Sequence, residues 1–148
     1  DAPSAITRLY KMGIEPFLLA YSINIIIAQR LVRKLCDHCK QRLTPEMYPA
    51  ALELGLSEAD LETGKVCQPV GCSECHEGYR GRINIAEALY MYPEVRSEII
   101  RSSSEINEDR IRSIAEEKGM LSMRASGIDR IRNGLTSISE VIYATTEE

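Results

Sequence analysis

The sequence predicts an α/β fold in which a metal-held insertion separates two strands and a helical tail follows. Four cysteines form two C-x-x-C pairs, Cys36 with Cys39 and Cys72 with Cys75, which mark the two ends of the insertion. Strand-like segments flank these pairs, and amphipathic helical patterns fill residues 93–148. The chain has 148 residues, of which 44% are hydrophobic, so it can bury a core.

Residues 1–35 are predicted to contain two helices and a strand. Asp1 lies where the first helix would begin, and Gly13 lies where it would end. Pro16 suits the first position of a second helix. Residues 17–29 are apolar on nearly all sides, which predicts that this second helix is buried. A short strand over residues 30–35 then leads into the first cysteine.

Residues 36–78 are predicted to form a small subdomain of short elements. A short helix is expected from residue 44 to Gly55, and Ser57 with Asp60 forms a capping box for another. Residues 65–70 are predicted to form a strand. We expect these elements to bury little surface, so that a bound metal would be needed to hold them together.

Residues 79–92 are predicted to return as a strand, because Ile83 and Ile85 alternate with polar residues. Residues 93–148 are predicted to form a helical subdomain, in which Pro93 opens the first of four amphipathic patterns. The second pattern ends at Gly119, the third runs from Leu121 to Gly134, and the fourth begins near Ser137.

The four paired cysteines predict a metal site. Two residues between cysteines let both sulfurs face one centre, and two such turns give a closed tetrahedral S₄ site that suits a structural Zn²⁺. The alternatives are a redox dithiol and unligated thiols, although a redox C-x-x-C is normally a single pair. His38 and His76 lie beside the pairs and Cys67 lies between them, and each is a weaker candidate ligand.

Charge and composition exclude several classes of function. The net charge of −4 gives no reason to expect nucleic acid or an anionic membrane as a partner. Residues 30–42 carry a local charge of +4, which either lowers the pKa of the nearby thiols or is a solvated basic strand end. No signal peptide is visible, and the cysteine usage is typical of a cytosolic protein. The longest apolar stretch, residues 17–28, is too short for a transmembrane helix.

The 148 residues lack the sequence motifs of catalysis. The phosphate-binding pattern G-x-x-x-x-G-K-[ST] is absent, because Gly64 and Lys65 are followed by Val66 and no glycine lies five residues earlier. No Ser/His/Asp set, H-E-x-x-H motif or catalytic carboxylate pair is present. The residues alone therefore predict a protein segment that has no catalytic function.

The order of several short motifs resembles that of the secretion ATPases, the family that powers type II secretion and type IV pilus assembly. Glu87 belongs to this pattern. The other matching segments are residues 1–9 (DAPSAITRL), 13–17 (GIEPF), 28–36 (AQRLVRKLC), 71–72 (GC), 78–82 (GYRGR), 119–120 (GM), 134–137 (GLTS) and 140–141 (EV). The resemblance implies the C-terminal part of a RecA-like ATPase domain, with the tetracysteine zinc subdomain inserted between two core strands at residues 30–35 and 82–90.

The resemblance also implies a function for the intact protein. Its ATP- and Mg²⁺-binding motifs would lie upstream of Asp1, so this chain alone is expected to be inactive. The intact protein would be a cytoplasmic homo-hexamer at the inner face of the cytoplasmic membrane, acting on a membrane platform protein. The resemblance leaves pilus assembly and type II secretion both open. The rival interpretation is a stand-alone zinc module that scaffolds protein interactions or binds nucleic acid.

Overall fold

The computed structural model describes residues 1–102 and 105–146. The helices are α1 Ala2–Lys11, α2 Pro16–Ser22, α3 Tyr48–Leu54, α4 Glu58–Glu62, α5 Pro93–Arg101, α6 Glu108–Glu117, α7 Met123–Arg132 and α8 Ile138–Thr145, with a 3₁₀ turn at Pro45–Met47. The strands are β1 Ile25–Leu35, β2 Gln41–Arg42, β3 Cys67–Gln68 and β4 Tyr79–Tyr90. Four residues of the predicted tail, Ser103, Ser104, Glu147 and Glu148, lie outside the described residues.

The mixed α/β prediction is confirmed. β1 pairs with β4 in one two-stranded sheet, and β2 pairs with β3 in another. The chain divides into two compact units, one formed by residues 1–29 and 86–122 and the other by residues 30–85 and 123–148. The predicted 93–148 tail is therefore distributed over both units, and the sequence-based boundaries at residues 35, 78 and 92 remain predictions.

The first unit, residues 1–29 and 86–122, is built around helices α1, α2, α5 and α6. The Asp1 carboxylate caps α1 by accepting a 2.8 Å hydrogen bond from the Ser4 amide. Pro93 occupies the first turn of α5, as predicted, and Gly119 follows the end of α6 with a positive φ of 95°. The buried core is apolar and consists of Ala2, Ile6, Leu19, Ala20, Leu89, Met91, Val95, Ile99, Ile106, Ile111, Ile114 and Ala115.

A buried ionic network holds the start of α1 in this unit. The side chain of Glu87, on β4, is fully buried and accepts a 2.7 Å hydrogen bond from the Ala2 amide. Arg112, on α6, lies 3.5 Å from the same carboxylate and also pairs with the carboxylate of Asp1. A buried carboxylate without such partners would be costly, so these contacts fix β4, α6 and α1 together.

The prediction of a buried helix over residues 17–29 is wrong in both length and burial. α2 ends at Ser22, and the chain is already in β1 from Ile25. Phe17 and Tyr21 of α2 are 61% and 60% exposed, whereas Leu19 and Ala20 face the core. The isoleucines that follow are β-branched and favour the extended backbone that pairs with β4.

The second unit, residues 30–85 and 123–148, has a core that the sequence analysis did not anticipate. The predicted low burial of the insertion is wrong, because its apolar residues join those of α7 and α8 in one cluster. The buried members are Leu43, Ala51, Leu54, Leu56, Leu61, Val66, Ile128, Ile131, Ile138 and Val141. The capping box at Ser57 and Asp60 and the stop at Gly55 (φ 116°) are confirmed. Leu121 is 63% exposed and precedes α7, so it does not belong to the third amphipathic helix.

Candidate metal centre

The first cysteine pair lies directly after β1. The end of this strand is fixed by a hydrogen bond from the Leu35 amide to the carbonyl of Leu135, at 2.9 Å. Cys36 is buried, and its carbonyl accepts hydrogen bonds from the amides of Cys39 (3.4 Å) and Lys40 (3.0 Å). This turn brings the Cys39 thiol back towards the Cys36 thiol, as the C-x-x-C spacing predicts.

The second cysteine pair forms a similar turn. The Cys75 amide donates to the carbonyl of Cys72 at 3.3 Å, and the Cys72 amide donates to the Sγ atom of Cys75, also at 3.3 Å. The amide of Gly71, which precedes this turn, donates to the Sγ atom of Cys39 at 3.3 Å. Backbone N–H groups therefore point at the Cys39 and Cys75 sulfurs, and each such hydrogen bond favours the thiolate form of its sulfur.

Backbone pairing closes the base of the insertion. In the β2–β3 sheet, Gln41 pairs with Gln68 and Arg42 pairs with Cys67 in antiparallel register. One residue further, the Leu43 amide donates to the carbonyl of Val66 at 2.9 Å. These contacts bring together two chain segments that are far apart in sequence, and so place the two cysteine turns side by side.

The four Sγ atoms form a group that could hold a metal ion. They all lie within 4.8 Å of one another. The Sγ atoms of Cys36 and Cys72 are 4.0 Å apart, those of Cys39 and Cys75 are 3.7 Å apart, and those of Cys72 and Cys75 are 3.7 Å apart. A tetrahedral site with Zn–S bonds of about 2.3 Å requires S–S separations of about 3.8 Å. Three of the six S–S separations therefore match a tetrathiolate site, and all six lie within 4.8 Å.

The thiols do not ionise equally. Burial raises the pKa of the Cys75 thiol, but hydrogen bonds from the Cys72 amide and from neighbouring thiols outweigh it and lower that pKa to about 7. The Cys72 thiol accepts from the Glu74 amide, which favours its thiolate, but burial and the three neighbouring thiols dominate and raise its pKa to about 12. Four sulfurs this close cannot all carry a negative charge without a cation among them.

The basic residues around the first pair are mostly ion-paired. Lys34 and Lys40 lie 3.0 and 2.6 Å from the carboxylate of Asp37, and their hydrogen bonds lower the pKa of that carboxyl to about 2. Arg33 binds Glu140 of α8 at 2.8 Å, which raises the pKa of Arg33. These ion pairs neutralise the three side chains, so a basic strand end fits them better than a positive charge that lowers the pKa of the nearby thiols.

The weaker candidate ligands lie outside the sulfur group. Among residues 1–102 and 105–146, the group that could hold a metal contains only the four paired cysteines. His38 and His76 are both exposed. The Cys67 thiol instead donates to the carbonyl of Lys65 at 3.2 Å. The structure therefore brings together the four cysteines that the sequence pattern predicted, and their role as metal ligands stays a prediction.

Sequence reasoning missed two residues that support the centre. The Lys40 ammonium donates to the carbonyl of Gly134 at 3.1 Å and so joins the first cysteine turn to the α7–α8 connection. The carbonyl of Gly78 accepts a 2.9 Å hydrogen bond from the Cys36 amide. Two signals were available, the position of Gly78 three residues after Cys75 and its place in the 78–82 segment, and neither identifies a partner.

An α/β chain with a tetracysteine insertion and no phosphate-binding loop is compatible with several classes of protein, and comparison with known proteins selects one. Residues 1–143 match the family model described as type II/IV secretion system protein. The chain therefore belongs to this family, and the resemblance seen in its motifs is confirmed.

Three relatives illustrate the family. The chain is 40% identical to the type IV pilus assembly ATPase PilB of Thermus thermophilus, over 99% of this chain and 16% of that protein. It is 38% identical to PilB of Pseudomonas aeruginosa, over 99% of this chain and 25% of that protein. It is 42% identical to the type II secretion system protein E of Pseudomonas aeruginosa, over 100% of this chain and 28% of that protein. The chain thus spans between 16% and 28% of the length of these relatives. Within the described residues, no helix has the length and apolar character needed to cross a membrane.

Proposed function

We propose that this chain forms part of an ATPase that powers type IV pilus assembly or type II protein secretion, and that its four paired cysteines hold one structural Zn²⁺. The observation that carries the first statement is 38% to 42% identity, across nearly the whole chain, to ATPases of pilus assembly and to a type II secretion protein. The observation that supports the second is that the four Sγ atoms lie within 4.8 Å of one another, with three of their separations between 3.7 and 4.0 Å.

The role of this chain in the ATPase is transmission of motion and not hydrolysis. The 148 residues contain no G-x-x-x-x-G-K-[ST] motif and so cannot form a P-loop for ATP and Mg²⁺. Residues outside these 148 would bind both, in a RecA-like domain of which this α/β segment forms the C-terminal portion. The working form is a homo-hexamer at the inner face of the cytoplasmic membrane, acting on a membrane platform protein. Family membership supports this assembly.

The zinc would act as a cross-link between the two cysteine turns. Four thiolates fill a tetrahedral shell and leave no open position for a substrate, so the site is suited to structure and not to catalysis. The chain's own residues prepare the shell, because the amides of Gly71 and Cys72 already donate to ligand sulfurs. Holding the turns together would in turn stabilise the residues between them, which share a core with α7 and α8.

Metal analysis tests the zinc site directly. Protein purified without chelator should contain one Zn²⁺ per chain. Cys36→Ser should lower this content strongly, because Cys36 is the buried member of the group. The matched control is Cys67→Ser, which changes a thiol outside the group and should retain the full content. An absence of zinc in the unaltered protein, or equal loss in both variants, would contradict the proposal.

Pseudomonas aeruginosa offers a test of the motor function, since it contains a relative of each kind. The matching segment of PilB, and separately that of the type II secretion protein E, is replaced by this chain in strains that lack the natural protein. We expect one of the two chimeras to restore surface pili or protein secretion. Cys36→Ser should abolish this activity, and Cys67→Ser should preserve it. If both chimeras accumulate at natural levels and neither restores its process, the motor proposal fails.

The chain by itself supplies a second test. Purified without the remainder of an ATPase, it should hydrolyse no ATP above the buffer rate. Sustained turnover that follows the protein through successive purification steps would show that the nucleotide site lies within these residues.

A further inference from the structure

Gly78 lies where two segments of the insertion cross. It is the second central residue of a two-residue turn that joins His76 to Tyr79, whose amides and carbonyls bond to each other at 3.1 and 2.9 Å. The φ angles of Glu77 and Gly78 are 51° and 86°. Positive φ at both central positions is the geometry of a type I′ turn, which favours Asn, Asp or Gly.

The space around Gly78 is more restrictive than the turn itself. A Cβ atom at this position would lie 2.6 Å from the Cβ of Pro69, 2.7 Å from the amide nitrogen of Val70 and 2.9 Å from the Cα of Pro69. Carbon atoms in contact are normally about 3.5–4.0 Å apart. Two of these three neighbours are backbone atoms, so a side chain at residue 78 would have to displace the 69–70 segment.

The displaced segment leads directly into the metal centre. Gly71 follows Val70, and its amide donates to the Sγ atom of Cys39 at 3.3 Å. Cys72, the next residue, is itself one of the four sulfur donors. On its other side, Gly78 binds the first cysteine turn through the 2.9 Å hydrogen bond from the Cys36 amide to its carbonyl. Gly78 therefore contacts the backbone that leads to both cysteine pairs.

We propose that Gly78 is a positioning residue of the metal centre: its missing side chain lets the 69–70 segment approach closely enough to bring the two cysteine turns to ligating distance. This inference rests on the proposed metal site. A substitution at residue 78 would increase the separation between the pairs Cys36/Cys39 and Cys72/Cys75. It would leave the separation within each pair unchanged, because local turns set that separation.

Gly81 provides a matched control a few residues away. Its φ of 80° is close to that of Gly78, so an L-amino acid is strained at both positions. A Cβ atom at Gly81, however, would meet no atom within 4 Å. Asn is the best replacement at both positions, because it tolerates positive φ and so isolates the effect of the close approach.

The experiment compares Gly78→Asn with Gly81→Asn in the 148-residue chain. Zn²⁺ affinity is measured by competition with a chromogenic chelator, and coordination is monitored by the thiolate charge-transfer and d–d absorption of substituted Co²⁺. We expect Gly78→Asn to weaken Zn²⁺ binding by about 10- to 100-fold, the range for groups that orient metal ligands, and to distort the tetrahedral Co²⁺ spectrum. Gly81→Asn should leave both unchanged.

The outcomes separate this inference from the proposed function. If the unaltered protein binds no metal, the proposed zinc site fails and this inference fails with it. If the unaltered protein binds Zn²⁺ and the two variants bind it equally well, only the role of Gly78 is overturned. Should Gly78→Asn not accumulate as folded protein, Gly78→Ala and Gly81→Ala are refolded from denaturant with one equivalent of Zn²⁺. Recovery of Gly81→Ala alone would support the proposal, and equal recovery would overturn it.

Discussion

A close helix–helix contact in the second unit gives a prediction in which two opposing effects can be weighed. Gly127 of α7 packs against the fully buried Val141 of α8. A Cβ atom at Gly127 would lie 2.5 Å from Cγ1 and 3.1 Å from Cγ2 of Val141, but 3.4 Å from its Cβ. Val141 is β-branched within a helix, so its side chain has essentially one χ1 rotamer and cannot turn away.

The expected sign of Gly127→Ala follows from these distances. Replacing glycine by alanine within a helix stabilises it by about 1 kcal/mol. Overpacking a core costs about 1–3 kcal/mol, and a contact short by about 1 Å belongs in the upper half of that range. Gly127→Ala should therefore lower the free energy of unfolding by about 1–2 kcal/mol.

Removing the Val141 methyl groups should reverse this sign. Val141→Ala alone should cost about 2 kcal/mol, because it opens a cavity in a buried position. In that background the two Val141 Cγ atoms are absent, and the methyl group introduced at residue 127 would lie 3.4 Å from the Cβ atom of residue 141, an ordinary contact. Gly127→Ala should then stabilise the protein by about 1 kcal/mol, so that the two substitutions couple by about 2–3 kcal/mol.

Denaturant unfolding of the four proteins, each saturated with Zn²⁺ and followed by circular dichroism, measures this coupling. Hydrogen exchange at the α7 and α8 amides locates the change within the second unit. The reasoning is refuted if Gly127→Ala stabilises the otherwise unaltered protein. It is also refuted if the coupling is below about 0.5 kcal/mol, the level expected for independent sites.

Three further predictions concern the metal, the buried network and a surface ion pair. Removing Zn²⁺ with a chelator should increase hydrogen exchange across residues 43–66 and in α7 and α8, whereas exchange in α1 and α6 should not change. Arg112→Met should lower the free energy of unfolding by about 2 kcal/mol, because it removes a cation 3.5 Å from the buried Glu87 carboxylate. Arg110→Met, at an exposed position, should change it by less than about 0.5 kcal/mol in thermal and denaturant unfolding. The Glu94–Lys118 pair lowers the pKa of Glu94 and raises that of Lys118. The contribution of this pair to folding stability should be present between about pH 4.5 and pH 10.5 and should be lost as pH falls below or rises above this window. In a pH series, the stability difference between the unaltered protein and Glu94→Gln should therefore disappear at both extremes.

Features encoded locally were predicted well from the sequence. The cysteine group depends on two short turns, and the spacing of each C-x-x-C pair already places its two sulfurs together. The Ser57 capping box and the Gly55 stop likewise depend on residues three or four positions apart. Within each cysteine pair and each helix cap the interaction partner is close in sequence, so one sequence read by itself contains the necessary information.

Features that depend on distant partners were not predictable in the same way. Residues 23–29 are apolar enough for a buried helix, and their extended conformation depends on pairing with β4, more than 50 residues later. The Met91 amide, for example, donates to the carbonyl of Asn24 at 3.0 Å. The close approach at Gly78 is a contact with residues 69–70 that no local pattern reveals.

The joint core of the insertion with α7 and α8 has a consequence for how such proteins can be recombined. Leu54, Leu61 and Val66 bury themselves against Ile131 and Val141, so neither set has a complete apolar environment without the other. A relative that lost residues 43–66 would need new surface residues on both α7 and α8. Exchange of these two helices alone would likewise leave residues 43–66 without their apolar partners. Residues 30–85 and 123–146 should therefore be inherited, or grafted, as one cassette despite the 37 residues that separate them in sequence.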